Sequence, residues 1–263
     1  MQQPMNIVEF VEVSKVYDNG VRALDGLTMK VPAGSIFGFI GRNGAGKTSS
    51  IRIIAGLLPK DSGTLRLFGK EIDMREKDYK REIGFVLDEA MYFDWMSAKE
   101  YLNFAGVMYG LTPGVATRRA LELLEFFDLP QHDVSPIQTY STGMKKKVSL
   151  AAAVIHNPRL VILDEPLEGV DALAASSIKE SLAIMASKGT TILITSHVLD
   201  TVEKFCTEVA IIHEGKVLLQ CGTDEIRSRA KGALADATYA SLEELFVDLV
   251  SDKVKQKKHL SWL

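Results

Sequence analysis

Eight residues, Gly41-Arg42-Asn43-Gly44-Ala45-Gly46-Lys47-Thr48, complete the pattern G-x-x-x-x-G-K-[ST]. The run before them, Ser35-Ile36-Phe37-Gly38-Phe39-Ile40, reads as a buried strand, and the run after them, Ser49 to Leu58, reads as a helix. That strand–loop–helix setting separates a phosphate-binding loop from a glycine-rich turn, and it commits this stretch to an α/β arrangement. Successive backbone N–H groups in such a loop form an anion nest, to which the helix N-terminus adds its dipole. Lys47 would reach the β- and γ-phosphates, and the Thr48 hydroxyl would hold Mg²⁺. Gly41, Asn43, Gly44, Ala45, Gly46, Lys47 and Thr48, with Ser49 opening the helix, therefore imply a bound nucleoside triphosphate.

Composition sets the bounds for the rest. The 263 residues allow one large domain or two small ones, and 46% hydrophobic with 25% charged residues is ordinary for a soluble globular protein. A net charge of −3 argues against a general nucleic-acid binder. The two cysteines, Cys206 and Cys221, stand in apolar surroundings, so buried thiols in a reducing cytosol are expected rather than a disulfide framework. Met1-Gln2-Gln3-Pro4 opens no basic and apolar leader. No apolar run approaches the roughly 18 residues of a membrane span, so a soluble chain is expected, reaching a membrane only through a partner.

Alternation from Val8 to Val16 predicts a half-exposed strand. Val21 to Leu24 and Leu27 to Val31 read as two further strands, joined by turns at Asp18-Asn19-Gly20 and Asp25-Gly26. With Thr64 to Gly69 after the Asp61-Ser62-Gly63 turn, the first third predicts an antiparallel sheet around the strand that feeds the phosphate loop. Residues 97–156 are helical in pattern. Ser97 with Glu100 forms a capping box, Pro113-Gly114 breaks the chain, a second helix runs from Arg118 to Leu129, and a third from about Lys145 to His156. Leu160-Val161-Ile162-Leu163 and Thr190 to Thr195 are continuous apolar or β-branched runs, the mark of parallel strands covered on both faces. Ala172 to Ser187 is the helix between them. Val209 to Ile212 and Lys216 to Leu219, split by Glu214-Gly215, predict a hairpin. The tail from Asp224 reads as helical, with the run Lys253 to Lys258 as a solvated helix end.

Asp164 and Glu165 end one buried strand, at the place where open α/β sheets hold their ligands. Asp164 would hold Mg²⁺ beside Thr48. Glu165 would act as general base on the water that attacks the γ-phosphate. His197 ends the next parallel strand, from which it would sense the γ-phosphate. His132, His156, His213 and His259 have no such setting.

Taken together these residues resemble the ATP-binding cassette (ABC) ATPases over roughly residues 5–225. The resemblance implies an α/β fold: a P-loop NTPase core with a RecA-like, mostly parallel sheet, an N-terminal antiparallel β subdomain and an inserted α-helical subdomain. It divides the chain into an ATPase domain at 1–223, with the insertion at about 90–156, and a helical extension at 224–263. It implies ATP and Mg²⁺ as ligands, with Tyr17 stacking on adenine. Tyr140-Ser141-Thr142-Gly143-Met144-Lys145 matches the family's L-S-G-G-Q signature, which implies that Ser141 and Gly143 clamp the γ-phosphate held by a second subunit. Leu167 to Asp171 matches the D-loop, with Asp171 as its aspartate, and His197 matches the switch histidine. Asp88 stands where the family has a glutamine, and a carboxylate there would contact Mg²⁺ or its waters. Thr142, Met144, Leu167, Glu168 and Ala172 also depart from the common pattern. The Y-S-x-G-M-K form and the stretch Ser241 to Phe246 resemble the exporter-type branch.

One phosphate loop and one signature per chain imply a C₂ homodimer that sandwiches two ATP molecules. Met91-Tyr92-Phe93-Asp94-Trp95-Met96, with the helical insertion, is expected to receive a short helix from an integral-membrane permease. The expected role is that of a cytoplasmic ATPase subunit, peripheral on the cell membrane through that permease, driving transport with a lean to export. Two other roles stay open. A soluble cassette acting on ribosomes or DNA would more commonly carry two cassettes or long coiled coils. A nucleotide-dependent regulator without hydrolysis would not need Lys47, Asp164, Glu165 and His197 together.

Overall fold

The computed structural model describes residues 5–73, 76–87, 93–132, 134–225 and 241–251, and in it the strands sort into two sheets. The antiparallel sheet holds β1 (Asn6–Val16), β2 (Arg22–Pro32), β4 (Ser62–Leu67) and β5 (Lys70–Glu71) in the order β2-β1-β4-β5. The second sheet holds β3 (Ile36–Ile40), β6 (Ile83–Val86), β7 (Leu160–Asp164), β8 (Thr191–Ser196), β9 (Glu208–His213) and β10 (Lys216–Gly222). Its order is β10-β9-β3-β8-β7-β6, parallel from β9 to β6, with β10 antiparallel at the edge.

Every residue of β3 and β7 is buried, and the reason is layering on both faces. Successive strand side chains point to opposite faces. Phe37, Phe39, Ile162, Leu193 and Ile212 join β1, β2 and the helix α1 (Lys47–Ile54) in one core. Ile36, Ile40, Val161, Leu163, Ile192 and Ile194 join helices on the other side in a second core. Those helices include α4 (Thr142–Val154), α5 (Ala172–Ser187), α6 (Leu199–Phe205) and α7 (Leu242–Ser251). The α/β layering expected from the sequence is present, and the carboxyl ends of β3, β7 and β8 carry the phosphate loop, Asp164-Glu165 and His197.

Local chemistry sets several boundaries differently from the sequence reading. Asp25-Gly26 is no turn between two strands: β2 runs unbroken from Arg22 to Pro32. Gly26 takes a left-handed backbone (φ 67°) within an irregular stretch of the β1–β2 register, and its N–H donates to the Ser14 hydroxyl at 2.9 Å. The helix α1 stops at Ile54 rather than Leu58, because Gly56 turns left-handed and Leu57 N–H closes onto the Arg52 carbonyl. Pro113-Gly114 opens a helix instead of breaking one: α3 (Pro113–Phe126) has proline at its first turn, where no N–H is needed. The helix α4 starts three residues before Lys145, capped by the Ser141 hydroxyl on Met144 N–H. The capping box at Ser97 and Glu100 forms as expected and starts α2 (Ala98–Met108). Glu214 and Gly215 both turn left-handed between β9 and β10, as a two-residue hairpin requires.

Candidate nucleotide site

The phosphate loop leaves β3 and enters α1 through two left-handed glycines, Gly44 (φ 81°) and Gly46 (φ 116°). These conformations suit glycine; between them the Ala45 N–H closes the loop on the Arg42 carbonyl at 3.0 Å, and the first N–H groups of α1, which have no partner within the helix, are available to an anion. The hairpin turn braces the loop from behind, with Gly215 N–H donating to the Ala45 carbonyl at 2.9 Å. The Lys47 side chain is only 6% exposed. Its ammonium donates to the Gly41 carbonyl at 2.6 Å and lies 3.8 Å from Glu165 Oε1. Gly41 and Ala45 thus support the loop, whereas Asn43, Gly44, Gly46, Lys47, Thr48 and Ser49 line a cleft of about 520 Å³. Tyr17, Asp164, Glu165 and His197 line the same cleft, together with Val21, Ala23, Arg42 and Glu168. Tyr17 is fixed there by a 3.0 Å hydrogen bond between its hydroxyl and that of Ser49.

The two carboxylates are aimed by strand register. Asp164 pairs with Thr195 across β7 and β8. The Thr195 hydroxyl donates to Asp164 Oδ1 and accepts from Glu165 N–H at 3.1 Å, so one buried side chain orients both acids. Asp164 Oδ2 also accepts from the Thr48 hydroxyl at 3.3 Å. Hydroxyl and carboxylate oxygens are the hard donors that Mg²⁺ takes, so Thr48 and Asp164 fit that ion. Asp88, the third residue expected to contact it, lies outside the described residues.

Glu165 has a left-handed backbone, φ 47°, which costs a non-glycine residue about 1–3 kcal/mol. The turn points its carboxylate into the cleft between two cations or donors. Oε1 faces Lys47, and Oε2 accepts from His197 Nδ1–H at 3.0 Å. Glu168, which the sequence reading treated as a departure only, brings its carboxylate within 4.8 Å of the reactive atoms of Glu165 and His197.

Ser141, Gly143 and Asp171 do not line this cleft. Gly143 and Asp171 meet where α4 packs on the start of α5, and Ser141 caps α4 just before them. A Cβ on Gly143 would stand 2.7 Å from that of Ala174 and 3.6 Å from an Asp171 carboxylate oxygen, so glycine permits the close crossing. Asp171 caps α5, accepting from the N–H groups of Leu173 and Ala174 at 3.0 Å each. The sequence reading missed Thr195, Gly215 and Lys146, whose ammonium reaches the Glu165 carbonyl at 3.4 Å. A Thr at a strand end and a Gly in a hairpin turn carry no signal of their own, because register and packing bring them to the cleft.

A separate apolar surface lies on the helical block. Trp95 is 70% exposed and Met108 is 69% exposed, with Phe93, Phe104 and Val107 also exposed. Phe93 packs its ring at 5.1 Å from Trp95 and 5.2 Å from Phe104, edge-on to the latter. Met91 and Tyr92 of the expected contact stretch lie outside the described residues. Among the described residues no helix is long and apolar enough to cross a membrane.

Residues 24–168 match the family model described as "ABC transporter". The chain is 35% identical over 223 residues to the linearmycin resistance ATP-binding protein LnrL of Bacillus subtilis, covering 84% of this chain and 72% of LnrL. It is 34% identical over 226 residues to the daunorubicin/doxorubicin resistance ATP-binding protein DrrA of Streptomyces peucetius, covering 86% and 68%. It is 32% identical over 225 residues to the bacitracin transport ATP-binding protein BcrA of Bacillus licheniformis, covering 85% and 72%. Among solved structures, an ATP-binding subunit of an ABC transporter superposes with a TM-score of 0.81 at 30% identity, over 93% of this chain and 99% of that one. The ADP conformation of the cassette MJ1267 gives 0.76 at 26% identity, over 92% and 98%.

Proposed function

Because the chain belongs to the ABC transporter family, as an ATP-binding and ATP-hydrolysing subunit, we propose that Lys47, Glu165 and His197 carry the hydrolysis and that it powers export through a separate membrane permease. The observation that carries this reading is the convergence of these three side chains on one cleft while Ser141 and Gly143 stand outside it.

In this reading ATP lies on the loop N–H groups of Asn43 to Ser49 with its adenine on Tyr17. Lys47 turns its donors from the Gly41 carbonyl to the β- and γ-phosphates, a buried cation exchanging a neutral acceptor for anionic ones. Thr48 and Asp164 would hold Mg²⁺, and Asp88 would be a further contact; the ion would supply neutralisation of phosphate charge. Glu165, aimed by its left-handed turn, accepts the proton of the attacking water. His197 holds that carboxylate and contacts the γ-phosphate. The signature residues Ser141 and Gly143, with Asp171 beside them, complete the cleft of a second copy, and two copies in C₂ symmetry close over two ATP molecules. Hydrolysis removes the contacts that hold the pair, which biases it toward opening.

The chain is read as an ATPase domain at 1–223, with the helical insertion at about 90–156, and an extension at 224–263. Phe93 to Met96 and the exposed face of α2 are the permease contact, Met and aromatic side chains being suited to a groove for a partner's helix. Docking there holds the chain at the cytoplasmic face of the membrane. The resistance functions in the names of LnrL and DrrA support export rather than uptake.

Glu165→Gln tests the reading. It should retain ATP binding, elute as a dimer when ATP is present, and lose turnover by about 10²–10⁴-fold, the usual worth of a positioned base. A monomer in ATP that still hydrolyses it would remove both the base and the sandwich.

A further inference from the structure

Lys146 lies one turn into α4, and its ammonium donates to the backbone carbonyl of Glu165 at 3.4 Å. The following lysine, Lys147, is buried and turned elsewhere, 3.6 Å from Asp128. The Glu165 carbonyl also accepts from Glu168 N–H at 3.2 Å. Both donors grip a residue whose backbone is left-handed, a conformation that persists in a non-glycine residue only where its surroundings hold it. Glu168 belongs to the same turn as Glu165. Lys146 reaches the carbonyl from another helix.

That helix has no slack. Its first turn is capped by Ser141, and Gly143 is pressed so closely on α5 that a methyl group would not fit against Ala174. Packed interfaces of this kind move as units rather than deform. A shift of α4 would therefore carry the ammonium with it and pull on, or release, the peptide of Glu165. The same peptide sets where the carboxylate points between Lys47 and His197.

We propose that Lys146 is a positioning residue for the hydrolytic carboxylate, tying the helix that opens on Ser141 and Gly143 to the backbone of Glu165 in the same chain. The proposal rests on Glu165 being the general base. Its consequence is a link within one chain between the helix offered to the opposite nucleotide and the base acting on the chain's own nucleotide. Contact of α4 with one ATP is thereby felt at the other.

The experiment measures steady-state ATP hydrolysis by the full chain as wild type, Lys146→Met, Lys146→Arg and Glu165→Gln. K146M should lower kcat about tenfold with KM for ATP held within about twofold, since a charge-assisted contact that aims the base is lost while the phosphate cradle is untouched. K146R, which still offers N–H donors at that distance, should recover most of the rate. In the E165Q background, K146M should change the residual rate by less than about twofold, because the two act as one unit. Wild-type kcat in K146M with E165Q inactive overturns the positioning role and leaves the base assignment standing. Wild-type kcat in E165Q overturns the base assignment itself. A K146M loss carried by KM, or not recovered by K146R, also overturns the positioning role. Should K146M fail to fold, Lys146→Ala, which removes the donor from a half-buried position without placing a new group there, is judged by the same criteria.

Discussion

Lys47 shows how a residue can be specified by spacing and then used by geometry. It is a buried cation held by the Gly41 carbonyl and the Glu165 carboxylate, so its charge is never left uncompensated. Replacing it with alanine removes at least two charge-assisted contacts to phosphate, each worth about 1.5–3 kcal/mol. K47A should weaken ATP binding by about a hundredfold or more in a titration with a fluorescent nucleotide; near-normal affinity would break the phosphate-loop assignment. Lys47 and Thr48 were legible from the loop pattern that links β3 to α1, and Asp164, Glu165 and His197 because each ends or directly follows an apolar strand run, strand ends being where α/β sheets gather ligands. Thr195 was not legible in that role. Its hydroxyl matters only because β8 lies beside β7 in one register, which no local pattern encodes.

The joint between β6 and the helical block rests on α4 and on His156 just beyond its end. A Cβ at Gly84 would stand 2.1 Å from the Ala153 carbonyl oxygen, so β6 and α4 touch backbone to backbone. His156 Nε2 bonds the Ile83 carbonyl at 3.2 Å, and its ring stacks on Tyr109 with centroids 3.6 Å apart. Burial chiefly, and the Arg119 charge secondarily, depress its pKa from 6.5 to about 4, against the opposing pull of the Ile83 carbonyl. Between those two values the unfolded chain binds a proton that the folded chain does not. The contribution of His156 is therefore intact above pH 6.5 and declines as pH falls toward 4. Urea unfolding should show the wild-type midpoint falling more than that of His156→Phe over this range; parallel curves would deny it the role. Helix cores and strand cores were legible from periodicity. Helix starts and stops were less so, because caps at Ser141, Pro113 and Gly56 are single residues whose choice between turn and helix depends on what packs beside them.

Two surfaces on opposite logic define the whole molecule. The cleft is polar, braced from behind and aimed by strand register. The face of Phe93, Trp95, Phe104 and Met108 is apolar and exposed, and residues 104 and 108 share one stripe of α2. Placing a charge there, as in Trp95→Glu, should abolish recovery of a multi-span membrane protein with the chain from detergent-solubilised membranes while leaving ATP affinity within about twofold. Unchanged recovery would move the contact elsewhere on the helical block. At the far end, α7 packs into the second core through Leu242, Leu245 and Phe246, and its first N–H donates to Glu203 on α6, the helix that follows His197.

By itself the sequence determined the α/β class, the phosphate loop, the carboxylate pair and the terminal histidine, because each is written in a run of at most a dozen residues whose periodicity and end chemistry are local. Tertiary structure decided which of these meet. The parallel register of β3, β7 and β8 brings Glu165 within 4 Å of both Lys47 and His197, residues distant from it in sequence, and the packing of α4 on α5 leaves Ser141 and Gly143 outside that cleft. Distances of that kind follow from how apolar faces stack into two cores, a property of the assembled layers that no single segment holds.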